Sequence, residues 1–254
     1  MSLATHNFLR YNSHILIPEI SENGQEMIRK SRVLVIGLGG LGCPVSTYLA
    51  ASGVGCLGLC DFDSVERSNI QRQLLFSERD IGIPKVQVAR EKVMNLNPDI
   101  LVESYEMKFH ELVDDLNYDI FIDCTDNMET KLLLNDYCYK SKKYFISAAA
   151  SRLEGQLIGF DFKKHRKCCL RCIFDHDSLH QFNCADVGIL IPVLGVMGCL
   201  QVTMAINMIL GKFAKHAVLS RFDSIRNEWI ELKGNKSASV PTTNLSWQVA
   251  LAWP

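Results

Sequence analysis

Short apolar runs alternate with amphipathic stretches along this chain, and the alternation reads as strand followed by helix. Residues 7–30 carry apolar positions at roughly helical spacing and predict an N-terminal helical arm. Arg32-Val-Leu-Val-Ile36 is a β-branched run that predicts a strand. Glycines follow at once, and Pro44–Ala51 then reads as a helix with proline near its first turn. Leu57–Cys60 is the next strand, ending at Asp61. Residues 84–97 read as a helix, with Pro84 at its start and Asn97-Pro98 as its stop. Ile100–Tyr105 alternates like a strand, Asp119–Cys124 is an apolar strand, Glu129–Lys140 is helical, and Lys143–Ala148 is strand again. Such regular alternation predicts a Rossmann-like, mostly parallel α/β sheet with right-handed crossovers. Beyond about residue 150 the pattern changes. Gly155–Phe162 and Ala217–Leu232 read as antiparallel strands flanking an apolar helix near 194–210, an antiparallel C-terminal extension of the sheet.

Neither an internal repeat nor a Pro/Ser-rich linker divides the chain, so 1–254 reads as one domain. Its parts are an arm (1–30), a strand–helix half (31–150), a second half (151–236) and a tail (237–254). Val187–Gly211 contains no charged side chain and is long enough to span a bilayer. Pro192, Gln201, Thr203, Asn207 and three glycines interrupt it, so the expectation is a loop and a buried helix, with no membrane contact.

Composition narrows the chemistry. The chain is 48% hydrophobic and 22% charged, which excludes disordered, collagen-like and coiled-coil classes. Lys+Arg 27 against Asp+Glu 28 leaves a net charge of −1, so no global field selects nucleic acid or an acidic membrane. Since the N-terminus has no basic segment leading into an apolar one, no signal peptide is expected, and the ten cysteines should stay reduced. They are then core filler, metal ligands or nucleophiles.

The most informative pattern is Gly37-Leu-Gly39-Gly40-Leu-Gly42 between a strand and a helix. Gly37 permits a tight turn, Gly39 lets the backbone approach a phosphate, and Gly42 allows close helix–strand packing. Asp61, at the end of the next strand, has the spacing of an acid that accepts from ribose hydroxyls. This much fits NAD, FAD or ATP. Ser68-Asn69-Ile-Gln-Arg72-Gln73 and Lys85 then add two cations and three amides, which suit a triphosphate better than a flat nicotinamide. Asp126, in Asp123-Cys-Thr-Asp126-Asn127, follows a buried strand and could hold the Mg²⁺ that bridges phosphates, while Asp126 or Asn127 could equally cap the following helix.

GLGGLG (37–42), DFDSV (61–65), SNIQRQ (68–73), IPK (83–85), DCTDN (123–127), CLRC (169–172) and GVMG (195–198) occur in the order seen in the ThiF/MoeB/HesA family, which this chain resembles from about residue 8 to about residue 232. That family comprises bacterial relatives of ubiquitin-activating enzymes. The resemblance implies an ATP- and Mg²⁺-dependent adenylyltransferase, cytoplasmic and homodimeric. It would activate the C-terminal glycine carboxylate of a ubiquitin-like sulfur carrier ending in Gly-Gly, with a sulfurtransferase as a further partner. Carried over residue by residue, Gly37, Gly39, Gly40 and Gly42 border the nucleotide and Asp61 binds ribose. Asn69, Arg72, Gln73 and Lys85 surround the triphosphate and Asp126 handles Mg²⁺, with Asp63 and Asn127 counted among the nucleotide-binding residues. Residues 31–150 become the nucleotide half, and 151–236 the carrier-binding and dimer half.

The cysteines divide. Cys43, Cys56, Cys60, Cys124, Cys138 and Cys199 lie in apolar contexts and read as filler. Cys169 and Cys172 have the spacing of half a zinc site, but no cysteine follows Cys199, so the second pair that the family supplies is absent. Cys168 is adjacent and poorly placed to help. Cys184 resembles the loop cysteine that parts of the family use as a nucleophile toward the carrier. A second departure is in the arm, where the family's arginine is missing after Arg10-Tyr11-Asn12, leaving Arg10 or His14 to substitute. Two other readings compete: a non-catalytic scaffold that binds nucleotide or carrier, and a nicotinamide-dependent oxidoreductase. Between pathways, Ser77–Ile81 and Asn95–Ile100 favour the thiamine branch and Arg152–Gln156 the molybdopterin branch, with the lean toward thiamine.

Overall fold

The computed structural model describes residues 5–112, 116–165, 168–174 and 188–233. Its elements run α1 (Thr5–Ile15), α2 (Ser21–Lys30), β1 (Arg32–Ile36), α3 (Gly42–Ser52), β2 (Cys56–Cys60), α4 (Arg67–Ile70), α5 (Lys85–Leu96) and β3 (Leu101–Tyr105). They continue with β4 (Ile120–Asp123), α6 (Met128–Ser141), β5 (Tyr144–Ser151), β6 (Glu154–Asp161), α7 (Ile191–Ile209), β7 (Val218–Asp223) and β8 (Glu228–Lys233).

The eight strands form one sheet in the order β3-β2-β1-β4-β5-β6-β7-β8. Pairs among the first five are parallel, and β5–β6, β6–β7 and β7–β8 are antiparallel. This is the expected architecture. Successive side chains on a strand face opposite sides, and the apolar runs are accordingly buried on both. Val33, Val35, Leu57, Leu59, Ile120 and Ile122 pack on one face with residues of α3, α5 and α7. Leu34, Ile36, Phe121, Phe145 and Phe160 pack on the other with Leu134 and Cys138 of α6.

The helical arm consists of two helices, α1 and α2. Pro18 lies in the turn between α1 and α2, where its ring removes a backbone donor, and Ser21 opens α2 at φ +56°. Tyr11 of α1 is buried against Gly53, and its hydroxyl accepts from Asn97 Nδ2 at 2.8 Å. Arg10 pairs with Asp99 (3.3 Å), and His14 Nδ1 meets Gln25 Oε1 at 3.0 Å. Both candidate arm cations are therefore engaged within their own chain.

By length and composition α7 could cross a membrane. Here one face, including Val193, Leu194, Met197, Gln201 and Ala205, is buried in the protein. Gly198 brings α7 so close to α3 that an added Cβ would stand 2.6 Å from Pro44.

Candidate functional site

The strand order reverses at β1: β2 and β3 lie on one side and β4 and β5 on the other. Ligands of open α/β sheets bind at the carboxyl ends of strands at such a switch point. The glycine turn sits there. Gly37 has φ +89°, and a Cβ would lie 2.8 Å from the Cys124 carbonyl oxygen. A Cβ on Gly42 would lie 1.9 Å from the Gly37 carbonyl oxygen. These two glycines build the turn. Gly40 packs against Leu194 of α7. Around Gly39 the nearest atom to an added Cβ is Gln73 Nε2 at 3.8 Å, so its backbone is left open.

That open backbone lines a cleft of about 1010 Å³ running from the ends of β1 and β2 to the start of β6. Asp61 is buried beside it. One carboxylate oxygen accepts from Leu38 N at 2.6 Å and the other from Asp63 N at 2.8 Å. Burial pushes its pKa above the usual carboxylate range, against the pull of Lys85 and the two backbone donors. Lys85 is buried at the N-terminus of α5, and its Nζ pairs with Asp63 at 2.9 Å. The expected phosphate cation is therefore held by an acid that also lines the cleft. Arg72, at the rim, donates to the Ser68 carbonyl at 3.0 Å. Gln73 is buried, lines the cleft, and has an Oε1 without a hydrogen-bond partner.

Asn69 departs from the expected set. Its Nδ2 donates to Ser68 Oγ at 3.0 Å, and it does not line the cleft. At the end of β4 the two roles weighed for Asp126 and Asn127 separate. Asn127 caps α6, accepting from Thr130 N at 2.9 Å, whereas Asp126 is exposed in the cleft.

Beneath this loop lies a network that the sequence reading missed. Asp123 is fully buried and receives Lys131 Nζ at 2.7 Å, Ser147 Oγ at 2.5 Å and Thr125 Oγ1 at 2.6 Å. Lys131 also donates to the Ala148 carbonyl at 3.0 Å, and Gln201 Nε2 of α7 donates to the Asp123 carbonyl at 2.8 Å. A signal was available. Lys131 shares the buried stripe of α6 with Leu134, Asn135 and Cys138, and Gln201 shares that of α7 with Met197 and Ala205. A polar residue in such a stripe needs a partner. Also missed were Phe62, Met107 and Lys108, which wall the cleft beside Asp61, with Lys108 Nζ 5.1 Å from the Phe62 ring centroid.

Five of the six filler cysteines are buried (Cys43, Cys56, Cys60, Cys124 and Cys138), and Cys199 is half-buried. Burial pushes the thiols of Cys43 and Cys60 up to about 12, which makes them inert at neutral pH. Cys169 and Cys172 stand with sulfurs 3.8 Å apart on a short turn, Leu170–Cys172. Among the described residues, no group of three or more His, Cys, Asp or Glu is gathered to hold a metal. Cys184 lies outside the described residues.

The fold and cleft together define an α/β protein with an open glycine turn, a strand-end acid and two cations at a switch point. The chain belongs to the ThiF family, whose model matches residues 11–242. It is 38% identical over 242 residues to the molybdopterin-synthase adenylyltransferase of Escherichia coli K12, covering 91% of this chain and 94% of that protein. It is 37% identical over 238 residues to the sulfur carrier protein ThiS adenylyltransferase of the same organism, covering 92% and 94%. A match to the adenylyltransferase and sulfurtransferase MOCS3 of Culex quinquefasciatus (39% over 251 residues) covers 94% of this chain but 56% of that longer protein. Among solved structures, E. coli MccB with ATP superposes with a TM-score of 0.75 at 23% identity, covering 92% of this chain and 71% of MccB. That likeness supports the fold.

Proposed function

We propose that this chain is an adenylyltransferase of ubiquitin-like sulfur carrier proteins. The observation that carries the reading is one cleft gathering Gly39, Asp61, Arg72, Lys85 and Asp126, in a chain whose relatives are named for this activity. The open Gly39 backbone and the N-terminus of α3, which has no side-chain cap, suit the phosphates of ATP. Asp61 suits the ribose, with Phe62 and Met107 beside the base. The unpartnered Gln73 oxygen and the exposed Asp126 carboxylate fit a hydrated or phosphate-bound cation. Mg²⁺ held by Asp126 would neutralise charge on the phosphates.

In the reaction, a carboxylate oxygen of the carrier's terminal glycine bonds to the α-phosphorus. The bridging P–O bond to the β-phosphate breaks and pyrophosphate leaves. Nucleophile and target are both anionic, so Arg72 and Lys85 screen their repulsion and stabilise the leaving group. A terminal carboxyl, with an ordinary pKa of about 3.3–3.7, is already ionised at neutral pH, and no general base is required.

ATP–pyrophosphate exchange, measured with and without a carrier ending in Gly-Gly, tests the reading. Carrier-dependent exchange is expected; nucleotide binding without exchange would leave a scaffold in its place. Relatives of both branches match almost equally, and we lean to the thiamine carrier. Exchange assayed with carriers of each pathway decides between them. Cys184 is proposed as the nucleophile of later sulfur transfer, so Cys184→Ala should spare exchange and block that transfer. A homodimer is part of the same proposal, and sedimentation of the purified chain checks it.

A further inference from the structure

Neither the cleft nor the adenylation chemistry uses the Cys169-Leu-Arg-Cys172 motif. Cys169 has extended backbone, and the turn that follows is closed by Cys172 N donating to the Cys169 carbonyl at 2.9 Å. The two residues between the thiols are pinned. Leu170 is buried in an apolar cluster with Phe160 and Phe162, and its N–H donates to Asn135 Oδ1 of α6 at 2.8 Å. Arg171 grips Asp136 of α6 through Nε and Nη2, at 2.8 and 2.6 Å. Held in this way, the turn sets the two sulfurs 3.8 Å apart, with Cys172 exposed and Cys169 half-buried.

A structural zinc ion needs four donors in a tetrahedron. Among the described residues no group of three His, Cys, Asp or Glu is gathered to hold a metal, and no cysteine follows Cys199 in the sequence. Cys168 is next to the pair, but it is buried and its Sγ donates to the Cys169 carbonyl at 3.8 Å. The donor set present is that of a dithiol, which fits a different chemistry. Residues three apart in such a turn have Cα atoms within about 7 Å, and a disulfide spans Cα separations of about 4.4–6.8 Å. Rotation of the two side chains therefore suffices to bring the sulfurs from 3.8 Å to a bond of about 2.05 Å.

We propose that Cys169 and Cys172 form a redox modification site that exchanges with low-molecular-weight disulfides of the glutathione disulfide class. The exposed Cys172 thiolate attacks one sulfur of the incoming disulfide. That S–S bond breaks, and one glutathione leaves and takes up a proton. Cys169 gives its proton to solvent, and its thiolate attacks the Cys172 sulfur. The second glutathione leaves as the Cys169–Cys172 bond forms. Two protein thiols lose two electrons and two protons, and the incoming disulfide gains them as two thiols. Because Asn135 and Asp136 hold the turn in place, Cys169 stands at high effective concentration beside Cys172. The internal bond is therefore favoured over a lasting mixed disulfide. The site does not depend on the adenylation reading.

The test equilibrates the reduced full chain in anaerobic glutathione buffers of rising disulfide content, then blocks free thiols, denatures and digests with trypsin. Arg171 lies between the two thiols, so trypsin cuts there, and only a disulfide keeps the fragment ending at Arg171 joined to the one starting at Cys172. In the oxidised protein these fragments should stay joined, separate on reduction, and show a loss of two hydrogens. Cys169→Ser and Cys172→Ser should each abolish the link, while Cys168→Ser and Cys184→Ser keep it. Phenylarsine oxide, which bridges paired thiols, should prevent the link when bound first. Should a variant fail to fold, tandem mass spectra of the linked wild-type fragments place the bond and remain decisive. A glutathione adduct that persists on Cys172 without the link overturns the proposal, as does a link that runs to Cys184. Zinc retained on the reduced pair, blocking oxidation until a chelator removes it, overturns it as well.

Discussion

β2 and β4 flank β1; Asp123 ends β4 and Asp61 follows the last residue of β2, one step further along the sheet, yet the two acids do opposite things. Asp61 accepts from the backbone N–H groups of Leu38 in the glycine turn and Asp63 in its own loop, and stays at the cleft wall. Asp123 is sealed, neutralised by Lys131, and tied to β5 through Ser147 and to α7 through Gln201. One acid faces the cleft with free lone pairs; the other braces the loop that carries Asp126. The difference lies in what each helix delivers. α6 points a lysine inward, whereas α5 points Lys85 at Asp63 and leaves Asp61 with lone pairs to spare. A carboxylate at a strand end is thus a ligand group only where no cation from the following helix has claimed it.

The harshest break of this contrast is Lys131→Met, which strands a buried charge. Unfolding free energy in urea should fall by about 3–5 kcal/mol, and adding Asp123→Leu should recover much of it. Full stability in the single variant would show that Asp123 is not a brace. Next is Arg72→Ala, which should cut kcat/KM of exchange by about 10²–10³, in line with loss of one transition-state donor, and leave Tm unaltered. Asp61→Asn is milder, with nucleotide affinity reduced about tenfold by the loss of a charged acceptor. Its pH behaviour sharpens the comparison. Burial raises the folded-state pKa of Asp61, so the ionised acid costs stability above that pKa, and the cost vanishes below the ordinary value of 3.8. The wild type should therefore gain on Asp61→Asn, in ligand-free unfolding, as pH falls from 7 toward 4. A gap that holds constant over that range would contradict the assignment. Smallest is Arg171→Ala. The Arg171–Asp136 pair is half-exposed, and its loss should cost about 0.2–1 kcal/mol by thermal unfolding.

Local punctuation made most of the frame legible. Glycine, proline and asparagine bound several of the apolar runs from Arg32 to Ala148, and every strand and long helix there lies within a few residues of its expected bounds. The glycine turn, Asp61, Arg72, Lys85 and Asp126 do line one cleft. Less legible was whatever depends on partners distant in sequence. Nothing near Asn69 shows that its amide is spent on Ser68. The choice between Asp126 and Asn127 as cap needs the geometry of the helix start.

The central position of β1 has a consequence for how the protein is made. Its pairing with β4 joins Val33 to Ile120, and Ile36 reaches its level only beside Asp123. A growing chain released from the ribosome at residue 100 would own its glycine turn, Asp61 and both cations, yet lack one wall of the switch point. Binding competence therefore arrives late in synthesis and all at once, when the strand carrying Asp123 slots in beside the first.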